Sequence, residues 1–158
     1  MMAAFSPGPS PMPSENDLID RWNQSSIPFA KHLGFTLHTI GGGASELHFT
    51  ALPEHLNTHG VTHGGASMAL LDVTMAAAAR SVAFEMGVVT IEMKTSFMQP
   101  AAGPLVARGR LIHRTTSMAF VEATITDAAG QPCAHATGTF KYVRRRLPVT
   151  AGEGISTD

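Results

Sequence analysis

The sequence predicts an α+β domain in which one long central helix is wrapped by a curved antiparallel sheet of about six strands. Three observations carry that expectation. From Gly64 to about Glu85 the chain is rich in Ala, Leu and Met and contains no proline, which reads as one long helix. Two short β-like runs, 35–40 and 45–51, precede it and are joined by "GGGA", a hairpin signal. Four long segments follow it, "VVTIEMKTSFMQ", "PLVARGRLIHR", "SMAFVEATITD" and "PCAHATGTFKYVRR", separated by the breakers "PAAG", the "TT" region and "DAAGQ".

Each element has its own local reason. "ENDLIDRWNQ" has the spacing of a short amphipathic helix, and in "IPFAKHLG" Pro28 suits a first helical turn and Gly34 a stop. The predicted long helix measures about 33 Å at 1.5 Å per residue. A strand of about 11 residues spans about 36 Å, so sheet and helix match in length. Alternation puts Ala119, Val121, Ala123 and Ile125 on one face, and Ala134, Ala136, Gly138, Phe140 and Tyr142 on one face of the last strand. The small residues among them would let the helix sit close. Short links between the later strands imply antiparallel neighbours.

With 158 residues, 44% hydrophobic and 15% charged, the chain has the composition of one globular domain with room for a core. We expect that domain over 15–146, between a disordered N-terminal tail, 1–14, and a flexible C-terminal tail, 147–158. A net charge of −1 supplies no field to recruit nucleic acid or an anionic membrane. The start, "MMAAFSPGPSPMPSEND", lacks a basic region followed by an apolar one, so no secretory signal is expected. The apolar stretch 64–86 carries Asp72 and Arg80 near its middle. At about 2.5–3.5 kcal/mol per mid-bilayer charge, membrane insertion is disfavoured. The single cysteine, Cys133, excludes an internal disulfide and suits a reducing cytoplasm. It reads as a small semi-buried hydrophobe.

The chemistry is concentrated in "NTHGVTHGGASMALLD", 57–72. Gly64 and Gly65 open the long helix, where free N–H groups and the positive dipole end can meet a developing negative charge, and without Cβ atoms they allow close approach. Asp72 lies more than two turns further on, too deep to cap the helix, among Leu70, Leu71, Val73 and Met75. A carboxylate there is costly without partners, and burial makes a carboxylate a stronger base, so water activation is one reading and a structural ion pair the other. Asn57 reads locally as a loop Asx-turn, and His63 as an N-terminal helix residue bonding its own turn. His55, His59 and His63 are spaced by four, as metal ligands on one helix would be. Gly60, Val61, Thr62 and the following glycines argue against a continuous helix there, so no metal is expected. "GGASMA" around Ser67 has Ala69 where a nucleophile elbow needs its second glycine, which argues against a serine hydrolase.

Asn57, His63-Gly64-Gly65 and Asp72, followed directly by the strand "VVTIEMKTSFMQPA", resemble the hotdog-fold acyl-CoA thioesterases of the phenylacetate-degradation (PaaI-like) type. The resemblance runs from about Pro28 to Arg144 and includes the later stretch "HRTTSMAFVEATITDAAGQPCAHATGTF". It implies a hotdog fold and hydrolysis of small aryl or medium-chain acyl-CoA by Asp-activated water, with coenzyme A thioester as substrate and no further cofactor. It also implies catalytic roles for Asp72, Gly64, Asn57, His63 and Thr90. Asp72 would face the active site of a neighbouring subunit as general base or nucleophile, Gly64 N–H would polarise the carbonyl, and Asn57 would orient water or that carbonyl. His63 would shape the turn or contact substrate, and Thr90 would help hold the water. A homodimer, and often a homotetramer of two such dimers, follows from the same resemblance. It also agrees with the open edge that one layer of strands over one helix would leave.

Gly65 is a further candidate for substrate binding. For the phosphates of coenzyme A the candidates are Arg80, Lys94, Arg108, Arg110, Arg114 and the run Arg144-Arg145-Arg146, with Arg114 the one selected; a solvated strand face explains each as well. The acyl pocket is expected near the helix start and the segment "FAKHLGF". The alternatives are a non-catalytic acyl-CoA binding or regulatory protein, and a dehydratase of hydroxyacyl thioesters, whose usual His-based motif is not seen.

Overall fold

The computed structural model describes residues 13–24 and 27–144. The expected tails therefore lie almost wholly outside the described residues, as do Arg145 and Arg146. Helix α1 spans Glu15–Gln24 and α2 spans Pro28–Leu33. Strands β1 (Thr36–Gly41) and β2 (Ala44–Thr50) follow, then a 3-10 turn at Pro53–His55 and the central helix α3 (Gly64–Arg80). The chain ends in β3 (Met86–Phe97), β4 (Pro104–Arg114), β5 (Met118–Thr126) and β6 (Pro132–Arg144). This is the hotdog fold: a six-stranded antiparallel sheet, ordered β1-β2-β4-β5-β6-β3, around one helix.

Local chemistry accounts for the short elements. Ser14 caps α1: the Asp17 N–H donates to Ser14 Oγ at 3.2 Å, and Ser14 N–H donates back to Asp17 Oδ2 at 3.0 Å. Pro28 occupies the first turn of α2, and Gly34 ends it in the left-handed region at φ 78°. Gly41 pairs with Ala44 across a two-residue turn in which Gly42 and Gly43 have φ of 56° and 85°. Positive φ at both central residues is what a tight hairpin turn of this kind needs.

Helix α3 is apolar nearly all round, and Leu70, Leu71, Met75, Ala77, Ala78 and Ala79 are fully buried. Each large aliphatic side chain so buried contributes about 1.5–3 kcal/mol. Ala119, Val121, Ala123 and Ile125 of β5 and Ala134, Ala136, Gly138, Phe140 and Tyr142 of β6 all face this core. The closest approach is at Gly109 of β4, where a Cβ would lie 2.9 Å from the Thr74 carbonyl oxygen. Ser45 Oγ donates to that same oxygen at 2.7 Å.

The structure corrects two expectations. Helix α3 has 17 residues rather than extending to about Glu85, making it about 25 Å long. Ser81 stops it: its N–H donates to Ala77 and Ala78 carbonyls, while its hydroxyl donates to Ala78 O and accepts from Gly43 N–H at 2.7 Å. The hairpin turn is thus tied to the end of the helix. Second, β3 and β4 are joined by a short link but do not pair; β3 pairs with β6, and β4 with β2 and β5. Residues 98–103 can make this crossing because six extended residues reach about 20 Å, more than three strand spacings of about 4.8 Å.

The two edges of the sheet differ. Strand β1 is backed by α1, whose Glu15 Oε1 accepts from Ile40 N–H at 3.3 Å. Among the described residues nothing pairs the outer edge of β3, where Val89 and Ile91 are half exposed, at 46% and 54%. No described helix is long and apolar enough to cross a membrane.

Candidate active site

The loop before α3 is built by Asn57. Its Oδ1 accepts from His59 N–H at 2.9 Å and Val61 N–H at 3.3 Å, and Gly60 closes the turn at φ 73°. This is an Asx-turn, one of the two readings of Asn57. The turn uses only the carbonyl end of the side chain, and the amide NH₂ has no partner among the described residues.

His63 then starts the helix. Its N–H donates to His55 O at 2.8 Å, and its ring Nδ1 accepts from Gly65 N–H at 2.9 Å. A neutral ring in this arrangement carries its proton on Nε2. The Gly65 N–H is therefore occupied within the chain, whereas no described residue accepts from the Gly64 N–H. The helix thus opens with the Gly64 N–H free at its positive end.

The link between β3 and β4 crosses this helix end. Thr62 N–H donates to Ala101 O at 2.9 Å, and Met98 N–H to Cys133 O at 2.8 Å. An open cleft of about 530 Å³ lies between the loop, the helix start and the crossing link. Phe97 covers Gly64, with a ring carbon 3.4 Å from where a Cβ would stand. Met98, Pro100, Ala101 and Ala134 add apolar wall, while Asn57 and Ser67 add polar groups.

The expected contribution of "FAKHLGF" is corrected. Ala30 and Phe35 are buried in the core, Phe35 edge-on to Phe49 at 5.0 Å, and the segment lines no part of this cleft. The link residues that take its place were read in sequence only as a breaker, because nothing local announces that "PAAG" passes the helix end. Cys133 is 1% exposed at the cleft wall, and burial, with Asp127 second, pushes its thiol pKa up.

Asp72 lies eight residues beyond Gly64, about 12 Å along the helix, and does not line the cleft. It is half-buried, and Thr90 Oγ1 donates to its Oδ1 at 2.7 Å. Its second oxygen has no described partner. The structure thus brings the expected residues together in two groups, Asn57 with Gly64 at the cleft and Asp72 with Thr90 on the side facing the open edge strand. Arg114 belongs to neither group: it donates to Val82 O at 2.8 Å past the far end of α3 and lies over the Tyr142 ring at 5.6 Å. His55, His59 and His63 share no helix, and among the described residues no three His, Cys, Asp or Glu side chains are placed to hold a metal ion.

Comparison with known proteins adds sequence to geometry. Residues 59–134 match the family model described as the thioesterase superfamily. A provisionally named esterase of Saccharolobus solfataricus is 34% identical over 89 residues, 56% of this chain and 64% of that relative, so the match spans just under two thirds of its length. Among solved structures, a conserved protein of Pseudomonas aeruginosa superposes with a TM-score of 0.73 at 28% identity, covering 77% of this chain and 98% of that one. The PaaI protein from the phenylacetic acid degradation operon of E. coli also superposes at 0.73, at 20% identity, over 79% of this chain and 91% of its own, a likeness of fold. The matched segment, just under half of the chain, contains the helix start, Asp72 and Thr90 and is similar to the thioesterase superfamily, and it lies inside a domain of hotdog fold.

Proposed function

We propose that this protein is an acyl-CoA thioesterase that works as a homodimer, hydrolysing small aryl or medium-chain acyl thioesters by attack of water. The observation that carries the reading is the Asp72 carboxylate, held by Thr90 at 2.7 Å through one oxygen and left with the other free.

The two groups within one chain are too far apart to act on one thioester. They complement each other between copies: pairing two β3 edges would cover Val89 and Ile91 and set Asp72 of one copy across from Gly64 of a second. In that arrangement the free Asp72 oxygen takes a proton as water attacks the thioester carbonyl carbon. The oxyanion is met by Gly64 N–H of the second copy at its helix start. The Asn57 amide donates to the carbonyl or the water. Collapse of the intermediate breaks the C–S bond, the proton held by Asp72 passes to the leaving sulfur, and the coenzyme A thiol and the carboxylic acid are released. Two such dimers can assemble further into a homotetramer.

The test is a panel of aryl and aliphatic acyl-CoA esters assayed with a thiol-trapping dye. Asp72→Asn is expected to lower kcat by about 10² to 10⁴-fold with the fold intact. Unchanged turnover would remove Asp72 from the chemistry. Thermal stabilisation by the esters without thiol release would make the protein a binder instead.

A further inference from the structure

Two hydroxyls at the base of the cleft lack partners. Thr62, 5% exposed, has its Oγ1 sealed and unbonded, and Ser67 is 2% exposed. The Ser67 backbone N–H donates to His63 O at 3.1 Å, but its hydroxyl has no partner among the described residues. Nor does it take the bond back to the carbonyl four residues earlier that Thr74 makes to Leu70 O at 2.6 Å. Unlike Thr62 Oγ1, its oxygen is not sealed, and the residue lines the cleft. A buried hydroxyl left without a partner is destabilising. Ala101, Cys133 and Ala134 line the same cleft, and none of its polar lining residues bonds the Ser67 hydroxyl.

Ser67 follows Gly64 by three positions and stands on the same helix face, about 5–6 Å away. When the carbonyl oxygen of a thioester accepts from Gly64 N–H, an oxygen on the β-carbon of the acyl group lies about 3–4 Å from the carbonyl carbon. That separation brings the β-oxygen within hydrogen-bond reach of the Ser67 hydroxyl, which can donate or accept. We infer that Ser67 is a specificity-determining substrate contact, and that the cleft favours acyl thioesters oxygenated at the β-carbon over plain alkyl ones. The inference rests on the thioesterase reading for the class of ligand.

Affinity for butanoyl-CoA and 3-hydroxybutanoyl-CoA, each enantiomer separately, is measured by calorimetry on Asp72→Asn protein. The expected result is about tenfold tighter binding of one hydroxy ester. Adding Ser67→Ala, or the nearly isosteric Ser67→Cys should alanine not fold, brings the two affinities together by weakening the hydroxy ester alone. Equal affinities before the Ser67 change, or a preference that survives it, overturn the inference. Equal weakening of both esters also overturns it, since the hydroxyl would then serve the thioester carbonyl. Thiol release by the unaltered protein is followed in parallel. Its absence for every ester would sink the hydrolytic reading while the affinities still decide Ser67, and failure of both esters to bind would sink both.

Discussion

Thr90 on β3 donates its hydroxyl to Asp72 on α3 at 2.7 Å, tying the edge strand to the central helix through the one carboxylate of that helix. The contact fixes which way the carboxylate faces. Thr90→Val keeps the shape and removes the donor. A hydrogen bond to a charged group contributes about 1.5–3 kcal/mol, so kcat for a good ester is expected to fall about 10- to 100-fold. Because the pair is solvent-exposed, the melting temperature should change little. A variant with full activity would show that Thr90 does not orient the base.

The open edge of β3 makes assembly testable without substrate. Ile91, 54% exposed, lies where β3 bulges against β6. Ile91→Asp puts a charge at the edge and is expected to shift the mass seen by light scattering towards one chain of 16.7 kDa. Thiol release should disappear with the dimer if each site takes residues from two copies. A single-chain mass for the unaltered protein at about micromolar concentration would remove the shared site altogether.

Gly109 tests the packing that lets the sheet close on the helix. A Cβ there would meet Ser45 Oγ at 2.8 Å, Thr74 O at 2.9 Å and Thr74 Cγ2 at 3.1 Å. The backbone oxygen cannot turn aside, so Gly109→Ala should destabilise by about 1–3 kcal/mol in denaturant unfolding. An unchanged midpoint would mean that helix and sheet shift apart freely.

Glu46 gives the acid range a specific contributor. The His48 hydrogen bond at 2.7 Å holds its carboxyl below the usual value against the opposing effect of burial, and Arg108 adds in the same direction. A depressed folded value means that the stabilisation is present above the unfolded pKa and is lost as pH falls through the folded one. In Glu46→Gln, the drop in melting temperature between about pH 5 and about pH 3 should be shallower than in the unaltered protein. Parallel curves would show that the pair adds nothing.

Several parts of the fold and site were legible because their causes are local. The α1 helix follows from an amphipathic repeat, the end of α2 from Gly34, and the β1-β2 turn from Gly42 and Gly43. The inward faces of β5 and β6 follow from strict alternation. The Asx-turn at Asn57 was one of the two readings its residue type allowed. The helix end was misjudged because Ser81 stops it with a hydroxyl partly engaged by Gly43, 38 residues away in sequence.

What the sequence by itself determined is the set of elements, their buried faces and the polar and glycine residues that open the helix between Asn57 and Asp72, since backbone preference, side-chain period and capping act within a few residues. Tertiary structure alone decided that β3 pairs with β6, that the 98–103 link walls the cleft, and that Asp72 meets Thr90 away from that cleft. The physical reason is that strand partners and cleft walls are chosen by whichever distant segments can satisfy their hydrogen bonds around the same helix, and no local preference carries that information.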